Sequence, residues 1–329
     1  MQVEKLLENS MLPDAETRRA AEVMLKRMET SPGFVSGLLS ILVTDSAVAH
    51  TAAIYLKNTV RSCWSATQND KMISLEDRMW LKSNILVALV KITGPKRAQL
   101  LAATHCILTL EIVSESWQEF IPMVFSFVNS GDPHVVDTGM LLYLEFTKVY
   151  RWVENSKRLP FNESIRIIFP HLLQIAGKSA AVEQQNDQTE NTIKIALKIY
   201  AATMRVDLTK HQQSRESLVS WCELIVKFIE MPQPQHLSSL TAETLETHIW
   251  WKAKKWAFTC LFLMMNRYAR NRRTEPKYAA FAKMFLNEFA PNILKVYLRQ
   301  VDAITQGVWV SSRVRQQLAV FIENWYNLF

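Results

Sequence analysis

Ala52-Ala53-Ile54-Tyr55-Leu56-Lys57-Asn58-Thr59-Val60-Arg61-Ser62-Cys63-Trp64 is the stretch on which the reading of the fold turns. At 100° per residue, Ala52, Tyr55, Leu56, Thr59, Val60 and Cys63 fall on one face. Lys57, Arg61 and Trp64 form a neighbouring stripe. An apolar face of this period, uninterrupted by Gly or Pro, is an amphipathic helix with one side in a core.

The same texture continues in both directions. The apolar spacing predicts helices near 3–9, 14–29, 33–43, 46–64, 75–92, 95–113, 117–129, 133–154, 160–177, 189–205, 214–230, 243–270, 276–299 and 308–328. Asp14, Ser31-Pro32, Ser74, Gly94-Pro95, Asp132-Pro133 and Thr274 are the expected helix starts. Ser74–Ile92 is apolar nearly all round, so that helix is expected to be covered on more than one side. The less regular stretches are Lys178–Gln188 and Met231–Leu240. Helices pair into units of about 35–50 residues, the period of HEAT-type repeats. The expected fold is therefore all-α and built of antiparallel helix pairs, and the family resemblance described below implies that they form a right-handed superhelical solenoid.

Composition excludes several function classes. The 329 residues contain seven glycines, where average usage gives about 23. Phosphate loops, dinucleotide turns and hairpin-rich folds need glycine at positive φ or at close backbone approach, so they are disfavoured. The histidines form no HExxH, and no two share a helix at ligand spacing. Cys63, Cys106, Cys222 and Cys260 are dispersed, with no CxxC. No GxSxG or GxxxxGK[ST] is present. The expectation is a binding protein with no catalytic residues, no cofactor and no metal. No apolar run approaches about 18 residues, so no membrane span is expected.

Charge is unevenly distributed. Residues 249–329 hold 13 Lys and Arg against 4 Asp and Glu, while residues 1–248 hold 25 against 27. The positive excess of the whole chain, +7, therefore lies in its last quarter. Lys252, Lys255 and Arg270 are the candidate partner-binding residues there.

The quoted helix resembles the second-repeat helix of the importin-beta superfamily, in particular the importin seven/eight group. Ala20–Leu25 and Gly33–Leu39 look like the opening of that family's N-terminal domain, and Glu76-Asp77-Arg78 with Lys82 is similar to its second-repeat B helix. Trp250-Trp251-Lys252-Ala253-Lys254-Lys255-Trp256-Ala257 is similar to a Trp-Trp-Lys-x-Lys-Lys-Trp-Ala segment of the same group. The chain departs from the pattern at Ser65-Ala66 and at Val113–Ser116. The resemblance implies an N-terminal-like domain over 1–92, further HEAT repeats over 93–329, and a chain that is the first third of a longer receptor.

It also implies a nuclear transport receptor that binds Ran-GTP, FG nucleoporins and protein cargo while shuttling between cytoplasm and nucleus. Arg78, Lys82, Lys57, Arg61 and Asp77 are the candidate Ran contacts, with Asp77 favoured as a helix cap. Asn58 is expected to satisfy backbone groups at a repeat junction. Trp64, Trp117 and Trp256 are expected in inter-repeat packing, and one of Trp250 and Trp251 at the surface. A cargo-recycling exportin is the near alternative. A Ran-independent scaffold holding nucleic acid on its basic end is the more distant one.

Overall fold

The computed structural model describes residues 2–65, 71–111, 116–205, 208–270 and 278–326. All regular structure among them is helical. The chain forms two compact units, Met1–Val149 and Tyr150–Phe329.

The first unit contains α1 (Gln2–Asn9), α2 (Ala15–Met28), α3 (Phe34–Leu42), α4 (Ala49–Cys63), α5 (Leu75–Lys91), α6 (Gly94–Glu111), α7 (Phe120–Val128) and α8, which begins at Pro133 and ends at Tyr150. Helices α3 and α4 pair, as do α5 and α6, and the pairs stack in register: α3 lies on α5 and α4 lies on α6. Arg97 of α6 extends the second layer to α8, donating to Asp137 and to Thr138, each at 2.7 Å. Gly139 permits a close approach within the α7–α8 pair, since a Cβ there would sit 2.9 Å from Phe127 Cβ and from Val128 N.

The second unit contains α9 (Leu159–Ala180), α10 (Asp187–Thr203), α11 (Lys210–Gln213), α12 (Arg215–Glu230), α13 (Ala242–Thr247), α14 (Ile249–Met264), α15 (Ala279–Glu288), α16 (Ala290–Thr305) and α17 (Ser312–Tyr326). Again two layers form: α9 packs on α12, and α14 packs on both α10 and α17. Each layer exists because one apolar stripe pairs its helix within the repeat and another meets the next repeat.

Helix starts follow side-chain chemistry. Asp14 accepts from Thr17 N at 2.8 Å, and Ser74 from Asp77 N at 3.1 Å. Asp132 accepts from His134 N at 2.8 Å. At Ser31-Pro32 the expected start moves to Gly33, whose φ of 78° only glycine adopts without strain. Thr274 lies outside the described residues. The helix expected over 243–270 breaks at His248, which ends α13 and caps α14, and finishes in a π-helical turn over Met265–Arg270. The helix expected over 276–299 divides at Phe289, where Pro291 opens α16.

Candidate functional site

The Ran candidates fall on different layers. Lys57 and Arg61 are on α4, which stacks on α6; Asp77, Arg78 and Lys82 are on α5, which stacks on α3. The candidates on α4 and those on α5 therefore do not share one layer. Apolar spacing identifies a helix but not its layer, and α5 is apolar on several sides.

The α5 residues are occupied within the chain. Asp77 is buried and accepts from Gly33 N at 3.1 and 3.2 Å and from Ser74 Oγ at 3.0 Å. It thus ties the start of α5 to the start of α3. Lys82 donates to Glu111 at 2.6 Å and to Ser116 O at 2.8 Å, with its side chain only 15% exposed. Trp64, buried at the end of α4, donates its indole N–H to the other Glu111 oxygen at 2.8 Å. Arg78 Nη1 reaches Trp64 O at 3.4 Å. Glu111 at the end of α6 is the hub of this network. Arg78 and Lys82 are both half-buried and directed at the ends of α4 and α6.

Lys57 and Arg61 remain at the surface, half-buried and exposed respectively. They stand beside Cys106 of α6, whose thiol is pushed up by burial while Arg61 and then Lys57 oppose that shift. Asn58 is exposed, and its side chain bonds no backbone group among the described residues, contrary to expectation. It lies on the solvent side of α4, away from the layer interface.

An apolar groove of about 370 Å³ runs between α5 and α7, lined by Met79, Leu86, Trp117 and Met123 with Lys82, Ser83, Ser116 and Glu119 at its polar edge. Trp117 is buried and meets Phe120 edge-on at 5.0 Å. Leu75, Met79 and Trp80 are exposed on the same helix.

In the second unit α14 is enclosed by α10, α12 and α17. Both Trp250 and Trp251 are consequently buried, on different faces. Trp250 meets Phe228 at 4.9 Å, and Trp251 meets Trp309 at 5.1 Å. One face cannot bury two adjacent residues, but two neighbouring helices can. Lys254, not among the residues singled out from the sequence, is buried. Its ammonium donates to Ile229 O and Met231 O, each at 2.6 Å, and stands 5.0 Å from the Trp250 ring. It closes the C-terminus of α12, where carbonyls lack helical partners. Burial pushes its pKa down to about 7.

Lys252 and Lys255 are half-buried. Lys255 and Lys198 both approach the half-buried Trp256, at 4.9 and 5.6 Å from its ring centre. The Arg270 side chain lies outside the described residues.

Asp187, His236 and His248 come together, although 49 and 12 positions separate them in order along the chain. Glu190 stands behind them, wholly buried and with neither oxygen hydrogen-bonded among the described residues. Burial first, and then the Asp187 charge, raise the Glu190 carboxyl to about 7. Burial lowers His248, favouring its neutral form. No spacing signal reveals this group in sequence, because its members come from three separate segments.

Residues 21–91 match the importin-beta N-terminal domain. The chain is 27% identical over 94% of its length to "Nonsense-mediated mRNA decay protein 5" of Saccharomyces cerevisiae. It is 27% identical over 95% of its length to the "Importin beta-like SAD2 homolog" of Arabidopsis thaliana, and 24% identical over 92% to mouse Importin-8. These alignments cover 31%, 30% and 31% of the relatives, so the chain spans about a third of their length. Among solved structures, "The exportin Cse1 in its cargo-free, cytoplasmic state" superposes with a TM-score of 0.78 at 13% identity, over 97% of this chain and 34% of that one. The "Kap95:Nup1 complex" gives 0.64 at 16% identity, over 99% and 35%. Layered helix pairs and these superpositions define a helical-repeat fold. Over residues 21–91 the chain is similar to the importin-beta N-terminal domain, and over most of its length to importin-like proteins.

Proposed function

We propose that this protein acts in nuclear transport as an importin-type receptor, binding Ran in its GTP state through the layer formed by α4 and α6. The observation that carries the reading is the importin-beta N-terminal domain over residues 21–91, within a chain that aligns along 92% to 95% of its length with importin-like relatives. Lys57 and Arg61 are the contacts of choice, because they leave a charged surface on α4 while Asp77, Arg78 and Lys82 are engaged within the fold.

The groove between α5 and α7 suits a phenylalanine side chain from an FG nucleoporin. It is apolar, small and open, as weak multivalent binding requires. One solved structure of this fold is a complex of Kap95 with Nup1. Residues 1–92 act as the N-terminal-like domain in this reading. Lys252, Lys255 and Arg270 face an acidic partner rather than basic cargo, since like charges across an interface cost affinity. The receptor shuttles between cytoplasm and nucleus.

The test is titration of the full chain with Ran loaded with GTP or GDP. The GTP form is expected to bind at least tenfold more tightly. Lys57→Glu with Arg61→Glu is expected to weaken it by about 1–3 kcal/mol, as when charged interface partners are lost. Equal affinity for the two nucleotide states excludes Ran, and undiminished binding by the folded double variant removes the α4 surface. Reversing Lys82 is a poorer test, because a carboxylate there would face Glu111 and disturb the fold.

No membrane-crossing role accompanies this reading: no described helix is long and apolar enough to cross a membrane.

A further inference from the structure

We propose that Asp187, His236 and His248 form a binding site for one divalent cation of the zinc class, with the buried carboxylate of Glu190 orienting His248 from behind. Each of the three residues offers one ligand atom, and these atoms all lie within 4.8 Å of one another. His248 Nε2 and Asp187 Oδ1 are already 3.3 Å apart. Bonds of about 2.0–2.2 Å in a tetrahedral shell put neighbouring ligand atoms roughly 3.4 Å apart. The remaining closure is about an ångström of side-chain rotation in residues at the surface.

The second, independent observation is Glu190. It is fully buried, and neither oxygen accepts a full hydrogen bond among the described residues, the Trp250 N–H giving it only partial compensation. A carboxylate in that position is costly unless something compensates it. Its Oε2 lies 3.6 Å from His248 Nδ1 and its Oε1 lies 3.9 Å from His236 Nε2. A histidine that binds a metal through one nitrogen characteristically donates its other N–H to a carboxylate, which fixes the tautomer and the ring plane. With His248 Nε2 on the metal, Nδ1 carries the proton and points it at Glu190. Trp250 N, which donates to His248 Nδ1 at 3.2 Å and already interacts with Glu190, then turns wholly to that carboxylate.

Charge and access agree. Two carboxylates and two neutral imidazoles around a dication sum to zero, which removes the cost of the uncompensated Glu190. The mixed imidazole and carboxylate set favours zinc over magnesium or calcium, which take oxygen alone. A cleft of about 940 Å³, lined by residues 183–187 and 231–236, opens on Asp187 and His236 and provides the entry path. The ligands come from the start of α10, from the 3₁₀ turn Gln235–Leu237, and from the break between α13 and α14. A bound ion therefore pins the 231–241 connection to two helix starts.

The experiment uses the full chain, cleared of metal by chelation. Titration with Zn²⁺ is expected to show one equivalent bound and a rise in the thermal midpoint, neither reproduced by Mg²⁺. Co²⁺ in its place is expected to give visible ligand-field bands without the near-ultraviolet sulfur charge-transfer bands of a cysteine site. His236→Ala and Asp187→Asn, both at exposed positions, are expected to abolish the stoichiometric binding while circular dichroism stays unchanged. Glu190→Gln is expected to weaken binding by 10- to 100-fold and to shift the Co²⁺ bands, the signature of a positioning carboxylate. The proposal is overturned by absence of one-equivalent uptake, by unchanged affinity in either surface variant, or by sulfur bands that assign the metal to cysteine.

Discussion

Asp77 in the first unit and Glu190 in the second are both buried carboxylates in the opening turn of a helix, and their surroundings are opposite. Asp77 receives Gly33 N and Ser74 Oγ, so its charge is spread over donors belonging to two helix starts. Glu190 accepts no full hydrogen bond among the described residues, with two imidazoles at 3.6 and 3.9 Å and only the Trp250 N–H acting weakly on it. The difference separates a carboxylate that fastens the fold from one left for an ion to complete. Lys254 shows that the second unit also satisfies buried charge where structure requires it, since both its carbonyl acceptors belong to the end of α12.

The largest expected effect is at Lys254. Lys254→Ala removes two short bonds to buried carbonyls and a cation over an aromatic ring, so it should lower unfolding free energy by about 3 kcal/mol, measured by urea denaturation. A pH series sharpens the result. Burial holds Lys254 at about 7 in the fold, below its ordinary 10.5. Between those values the unfolded chain binds the extra proton, so the wild-type protein gains stability as pH rises from 7 towards 10. The Lys254→Ala protein lacks that gain. Equal pH slopes for the two proteins would show that the ammonium keeps its proton in the fold.

Asp77 comes next. Asp77→Asn removes the charge from a bonded acceptor, and a loss of about 1.5–2 kcal/mol is expected, as for hydrogen bonds to charged groups. The readout is the same denaturation, with amide exchange at Gly33 reporting whether the start of α3 loosens.

The smallest effect tests the contrast directly. Glu190→Gln in the metal-free chain should leave stability within about 0.5 kcal/mol or raise it, because no bonded donor loses its partner and an uncompensated charge disappears. A loss as large as that at Asp77 would make the two sites alike and remove the distinction drawn between them.

Residues 52–64 and 249–264 show how far the sequence alone reaches. Their apolar period, the scarcity of glycine and the caps at Asp14, Ser74 and Asp132 determined that the chain is a series of helices, since these signals act within a turn or two of backbone. The Trp-rich segment also carries a resemblance to importin-like proteins. What each helix faces was decided elsewhere. The layer to which α5 belongs depends on α3, thus on residues over 40 positions away, and that choice turned Lys82 from a surface candidate into a partner of Glu111.

Likewise, which lysine of Trp250–Trp256 is buried depends on where α12 ends, and local spacing carries no record of it. The two irregular stretches, Lys178–Gln188 and Met231–Leu240, were recognisable as breaks in the helical pattern, but not as the two walls of one cleft. Helix formation is a short-range balance of propensity, capping and one apolar stripe. The pairing of charges, and the meeting of Asp187, His236 and His248, is set by packing between repeats, which only the folded chain brings within a few ångströms.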